Sequence, residues 1–152
     1  MSAVITETRP RVIRRLVGGR RWRVIAVISA GGALGALARD RLAHAMPHTA
    51  AQFPWATFTV NVSGCLLIGA VMVLVTEVWA GHRLLRLFLT TGLLGGFTTF
   101  STYVVDVQRA VAAPAARTGL AYLVATPVCA LLAVFVATRI TRWAIRPRHR
   151  DR

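Results

Sequence analysis

The chain has 152 residues, of which 55% are hydrophobic and only 16% charged, with a formal net charge of +14. Soluble domains carry about 25% charged residues, and here the charges are bunched, which excludes a soluble enzyme. The basic excess is entirely Arg and sits just outside apolar stretches, as cytoplasmic positive charge does on membrane proteins, not as a phosphate-binding face would.

A bilayer core of about 30 Å needs about 20 apolar residues per helical crossing. Four such runs fit, so the expected fold is an all-α integral membrane protein with four transmembrane helices over residues 24–140. Residues 1–23 read as a basic cytoplasmic tail bearing Arg9, Arg11, Arg14, Arg15, Arg20, Arg21 and Arg23. The Gly-rich run that follows leads into further spans, unlike a cleaved secretory signal. The first span, about 24–45, contains Gly31 and Gly35, a G-x-x-x-G pair that lets membrane helices approach closely. It ends on Arg39, Asp40 and Arg41. The second, about 57–78, carries Asn61, Ser63, Gly64 and Gly69 inside it, with Glu77 an interfacial charge at its end. Cys65 in this span and Cys129 in the fourth read as small packing residues.

The third span, about 84–105, holds the unusual chemistry. Gly92, Gly95 and Gly96 are followed by Thr98, Thr99, Ser101 and Thr102, with aromatic residues at Phe97, Phe100 and Tyr103. Glycine loosens the helix, and Ser and Thr offer the backbone competing hydrogen bonds. A helix break is therefore predicted over 95–99. Unwound backbone at membrane depth must face protein or a wet cavity. Close helix packing is the other reading of the glycines, since Gly92 and Gly96 form a second G-x-x-x-G pair. Phe100 and Tyr103, three apart, share a helical face, and their positively polarised ring edges can line an anion path. Asp106, just beyond, fits structural support or a pore-end role equally.

The fourth span, about 118–140, contains Tyr122, Thr126 and Ala130. Pro127 removes one helical donor and frees the Leu123 carbonyl. The basic tail 141–152 closes the chain. No internal repeat is visible, which argues against an inverted-repeat transporter in one chain. His44, His48, His82 and His149 have no metal-site spacing.

The string Gly95-Gly96-Phe97-Thr98-Thr99-Phe100-Ser101-Thr102-Tyr103 resembles the third-helix signature of the CrcB/Fluc fluoride channels. The segment Gly31 to Arg39 resembles that family's first-helix pattern, and Thr57 to Gly69 its second. The resemblance implies passive export of fluoride through narrow pores in a dual-topology antiparallel dimer in the cell membrane, with no enzymatic activity. It implies a structural sodium ion at the dimer centre, held by backbone carbonyls that map to Gly95 and Thr98. It implies pore-lining roles for Asn61, Thr99, Phe100, Ser101, Tyr103, Tyr122 and Thr126, and a vestibule position for Arg39. Tyr103 stands where the family usually has Phe, Ala56 where it has Gly, and Ala130 where a hydroxyl is common.

Two other classes fit four short helices. A proton-coupled small multidrug antiporter needs a carboxylate deep in a helix, and the first span offers only Asp40, between two Arg. A non-conducting structural subunit leaves the third-span constellation without a purpose. The Arg distribution, fifteen on the side of the two tails against Arg39, Arg41, Arg109 and Arg117 on the other, favours cytoplasmic termini. So strong a bias points toward pairing with an oppositely oriented paralogue, while its concentration in the long tails leaves a dimer of identical chains open.

Overall fold

The computed structural model describes residues 10–114 and 116–146, with side chains from residue 19 onward. Arg9, Arg148, His149, Arg150 and Arg152, and the side chains of Arg11, Arg14 and Arg15, lie outside the described residues. All described elements are helical: α1 Pro10–Ala45, α2 Trp55–Val73 with a wide π-helical turn at Leu74–Val78, α3 Arg83–Leu87, a π-helical stretch Phe88–Leu94, α4 Gly95–Phe97, α5 Phe100–Ala112 and α6 Ala116–Ile145. They make four stretches long and apolar enough to cross a membrane: Gly19–Ala45, Trp55–Val78, Arg83–Ala112 and Ala116–Ile145. These are the four predicted spans, each longer than expected. α1 is helical from the first described residue, Pro10, so the first helix extends back into the stretch read as tail.

The second span packs against the fourth, and the first against the third. Glycine makes both contacts possible. A Cβ on Gly31 would stand 2.6 Å from the Phe88 carbonyl oxygen, and one on Gly92 would stand 2.8 Å from that of Ile28. Gly35 likewise meets the Leu93 carbonyl and Gly96 the Gly32 carbonyl, all of it backbone. The two G-x-x-x-G pairs of the sequence are thus two sides of one seam, along which the first and third spans touch main chain to main chain. Gly69 does the same for the second and fourth spans, where a Cβ would come within 2.6 Å of the Val134 carbonyl.

Outside this seam the bundle shows lipid-type surface. Leu34, Leu131 and Phe135 are exposed, and Trp22 and Trp143 are exposed near the ends of the first and fourth spans, as interfacial Trp residues are. At the same end Arg142 Nε donates to Glu77 Oε1 at 2.8 Å, joining the second span to the fourth.

The third span is broken. Thr98 (φ −76°, ψ 154°) and Thr99 (φ −146°, ψ 120°) are extended. The predicted break exists, but the glycines do not form it: Gly95 is helical at φ −65°, ψ −32°, and no glycine has positive φ among the described residues. The threonines unwind, and the glycines hold the flanking turns against the first span.

Candidate functional site

Asn61 explains why the unwinding is stable. Its Nδ2 donates to the Thr99 carbonyl and its Oδ1 accepts from the Thr99 N–H, both at 2.9 Å. One amide side chain from the second span thereby satisfies both main-chain groups of an extended residue, which would otherwise be very costly in hydrocarbon. The Thr99 hydroxyl then caps α5 by accepting from the Thr102 N–H at 3.2 Å. It also donates to Thr102 Oγ1 at 2.9 Å. Gly64 clears the space beside the break, since a Cβ there would run into the Thr98 methyl and stand 3.3 Å from the Phe97 ring.

These two side chains also release two carbonyls. In a continuous helix the Thr99 N–H would donate to Gly95 and the Thr102 N–H to Thr98. Asn61 takes the first donor and the Thr99 hydroxyl takes the second. The Thr98 carbonyl instead faces Arg39 Nη1 at 3.4 Å.

Beside the break runs an open groove of about 240 Å³, lined by Asn61, Cys65 and Ile68 from α2, Thr98, Thr99, Phe100 and Tyr103 from the third span, and Thr126, Pro127 and Ala130 from α6. The rings of Phe100 and Tyr103 lie 5.7 Å apart, and Phe100 is 79% exposed. Tyr103 in turn contacts Tyr122 at 5.2 Å between ring centroids, and Tyr122 meets Phe53 edge-on, also at 5.2 Å. Among the predicted pore residues, Asn61, Thr99, Phe100, Tyr103 and Thr126 come together on this groove. Tyr122 is fully buried behind Tyr103 and lines no part of it, and Ser101 is exposed, 3.4 Å from the Thr99 hydroxyl. Arg39 lies across the break in a smaller cavity of about 130 Å³. Thr99 borders both spaces.

Two hydroxyls stand out energetically. Tyr122 Oη and Thr126 Oγ1 are buried close to one another, with Thr57 also beside Tyr122, yet neither hydroxyl makes a well-formed hydrogen bond among the described residues. Such groups cost stability unless a polar species visits them. Replacing Thr126 with Val is therefore expected to leave the melting temperature of the purified protein unchanged or slightly raised. A fall of more than about 4 °C would show instead that the hydroxyl is structurally bonded.

Sequence reasoning missed Cys65 and Ile68, although their spacing from Asn61 (four and seven residues) places them on one helical face. It left Asp106 open. The structure makes it a buried carboxylate that accepts from the Thr57 hydroxyl at 2.7 Å, with His48 Nε2 3.8 Å from its other oxygen. Asp106 thus ties the third span to the second at the end opposite the Glu77–Arg142 pair and does not line the groove. No cluster of His, Cys, Asp and Glu suited to a metal occurs among the described residues.

Comparison with known proteins identifies the family. Residues 26–138 match the family model described as CrcB-like protein, Camphor Resistance (CrcB). The chain is 49% identical over 144 residues to the fluoride-specific ion channel FluC 1 of Streptomyces coelicolor, covering 89% of this chain and 94% of that one. It is 49% identical over 121 residues to FluC 2 of Nocardia farcinica (80% and 86% covered) and 48% identical over 120 residues to FluC 2 of Thermobifida fusca (79% and 89% covered). A family match that runs through all four spans, with relatives 48–49% identical over most of their length, makes this chain a member of the CrcB/Fluc family of fluoride ion channels.

Proposed function

We propose that the chain is a subunit of a passive fluoride channel in the plasma membrane, which lowers cytoplasmic fluoride, and that its groove is one wall of a pore completed by a second subunit. The observation that carries this is the convergence on one groove of the Phe100–Tyr103 ring pair and the Thr99 break clamped by Asn61. Fluoride is small and strongly hydrated, so a selective path must replace its water with closely spaced donors while binding weakly enough to release it. Ring edges and hydroxyls supply partial positive charge without the cost of a bare cation in the membrane. Arg39, in the adjoining cavity, provides the full positive charge near the mouth. The wide exposure of Phe100 on the open side of the groove leaves room for a second subunit to cover it.

The Arg bias supports cytoplasmic termini and one fixed orientation. The second subunit is then an oppositely oriented paralogue, with a homodimer as the alternative. A multidrug-type antiporter would need its proton carrier in the path, and the buried carboxylate, Asp106, is bonded to Thr57 away from the groove.

The released carbonyls of Gly95 and Thr98 suit a structural sodium ion. Both are main-chain oxygens without their helical donors, and hard cations take oxygen ligands. Arg39 occupies one side of the Thr98 oxygen, so Gly95 is the freer ligand, and a second subunit would supply the remainder. A bound cation would add fixed positive charge at the centre of the assembly.

The test is efflux of fluoride and of chloride from liposomes holding the chain purified with its second subunit; fluoride-conducting dimers of the chain alone, in both orientations, would make the pair a homodimer. Fluoride is expected to leave much faster than chloride. Phe100→Ile is expected to cut the fluoride rate at least about tenfold, the effect of losing over 1.4 kcal/mol at a transition state. Because Phe100 is exposed, the variant should fold normally. Equal fluoride and chloride rates would sink the reading.

A further inference from the structure

Tyr103 lines the groove, and Pro127 interrupts the hydrogen-bond ladder of α6; the structure joins these two features. The Tyr103 hydroxyl donates to the Leu123 carbonyl at 2.7 Å. Leu123 is the residue whose helical donor would be the N–H of position 127, which Pro lacks. A carbonyl in the membrane interior without a donor is strongly unfavourable, and the tyrosine answers it from the neighbouring span.

We infer that Tyr103 is a positioning residue for the ion path, its ring held in register with Phe100 by a hydroxyl anchored on the carbonyl that Pro127 frees. Its O–H proton points at Leu123 and is not offered to the groove, so the side chain presents an aromatic edge to a passing anion as a phenylalanine would. The anchor fixes the far end of the ring, between Phe100 at 5.7 Å and Tyr122 at 5.2 Å. Phe100, exposed and in aromatic contact only with Tyr103 among the described residues, inherits its placement from the same bond. Tyr103 and Pro127 thus form a matched pair. Changing Tyr103 to Phe is harmful here, because it removes the side-chain donor to a carbonyl whose helical donor the proline has taken away.

This inference rests on the channel reading above, and its test separates the two. Four proteins are compared in fluoride efflux and thermal unfolding: the parent, Tyr103→Phe, Pro127→Ala and the double variant. Tyr103→Phe is expected to lower fluoride efflux about tenfold and the melting temperature by about 3 °C. In the Pro127→Ala background, where residue 127 again donates to Leu123, the same change should lower efflux only about twofold and leave the melting temperature within about 1 °C. Equal effects in the two backgrounds, on either readout, overturn the pairing. A loss of stability confined to the Pro127 background with no change in efflux would also overturn it, by making the bond structural only. If the parent passes no fluoride, the channel reading fails, and the unfolding arm still decides whether the bond couples the two residues.

Discussion

Asn61→Leu is expected to abolish fluoride efflux, with a loss of at least about a hundredfold, and to lower the stability of the folded chain by about 3 kcal/mol. The substitution keeps the volume and hydrophobicity that a membrane helix prefers, so a simple packing argument predicts tolerance. What it removes is the pair of hydrogen bonds to the Thr99 N–H and C=O, both 2.9 Å long. Each orphaned main-chain group costs about 1–3 kcal/mol, and no water is available to replace the lost partner. The third span is then expected to rewind through 98–99. That would restore helical donors to the Gly95 and Thr98 carbonyls and move Phe100 off the groove. Asn61→Asp should be nearly as damaging, because the carboxylate keeps an acceptor for the N–H but confronts the Thr99 carbonyl with a second acceptor. Efflux measurements on both variants, with circular dichroism to report added helix, check this. Parent-like efflux from Asn61→Leu would mean that the break needs no clamp.

Gly96→Ala carries the second large effect. Its Cβ would meet the Gly32 carbonyl, with the Gly32 Cα at 2.9 Å. Backbone cannot rotate aside as a side chain can, so the first and third spans must separate. Overpacking of this kind costs about 3 kcal/mol, and the expected outcome is poor recovery of folded protein from detergent. Gly95→Ala is the control, since its Cβ would have nothing nearer than the Thr90 carbonyl at 3.9 Å. It should fold as the parent does, and similar folded yields for the two variants would remove the seam from the account.

Much of this molecule was legible from residue types alone. Four apolar runs gave the four spans, because bilayer thickness fixes helix length. The crowding of Gly, Thr and Ser around 95–102 located the break, because these residues weaken helical hydrogen bonding. Its cause was less accessible. Gly95 and Gly96 looked like the agents of unwinding, yet they stay helical. The deciding interaction spans 38 residues, from Asn61 to Thr99, and no local pattern announces a partner at that distance. The same holds for Thr57 and Asp106, 49 residues apart. The resemblance put Tyr122 on the pore beside Thr126, but a shared helical face fixes no depth, and Tyr103 stands in front of it. Pro127 and the freed Leu123 carbonyl were visible in the sequence, whereas the tyrosine that answers them was not.

The clamp at Thr99 has a consequence for the order in which the protein is built. A segment entering the bilayer by itself has no acceptor or donor for the main chain of residues 98–99 and must go in as an uninterrupted coil. It can open only after the second span has delivered its amide alongside. The second and third spans must therefore dock before the gap is made, and a ribosome-bound intermediate ending inside the third span should resemble ordinary hydrophobic rods. The conducting shape is, in this sense, a late product of neighbours meeting.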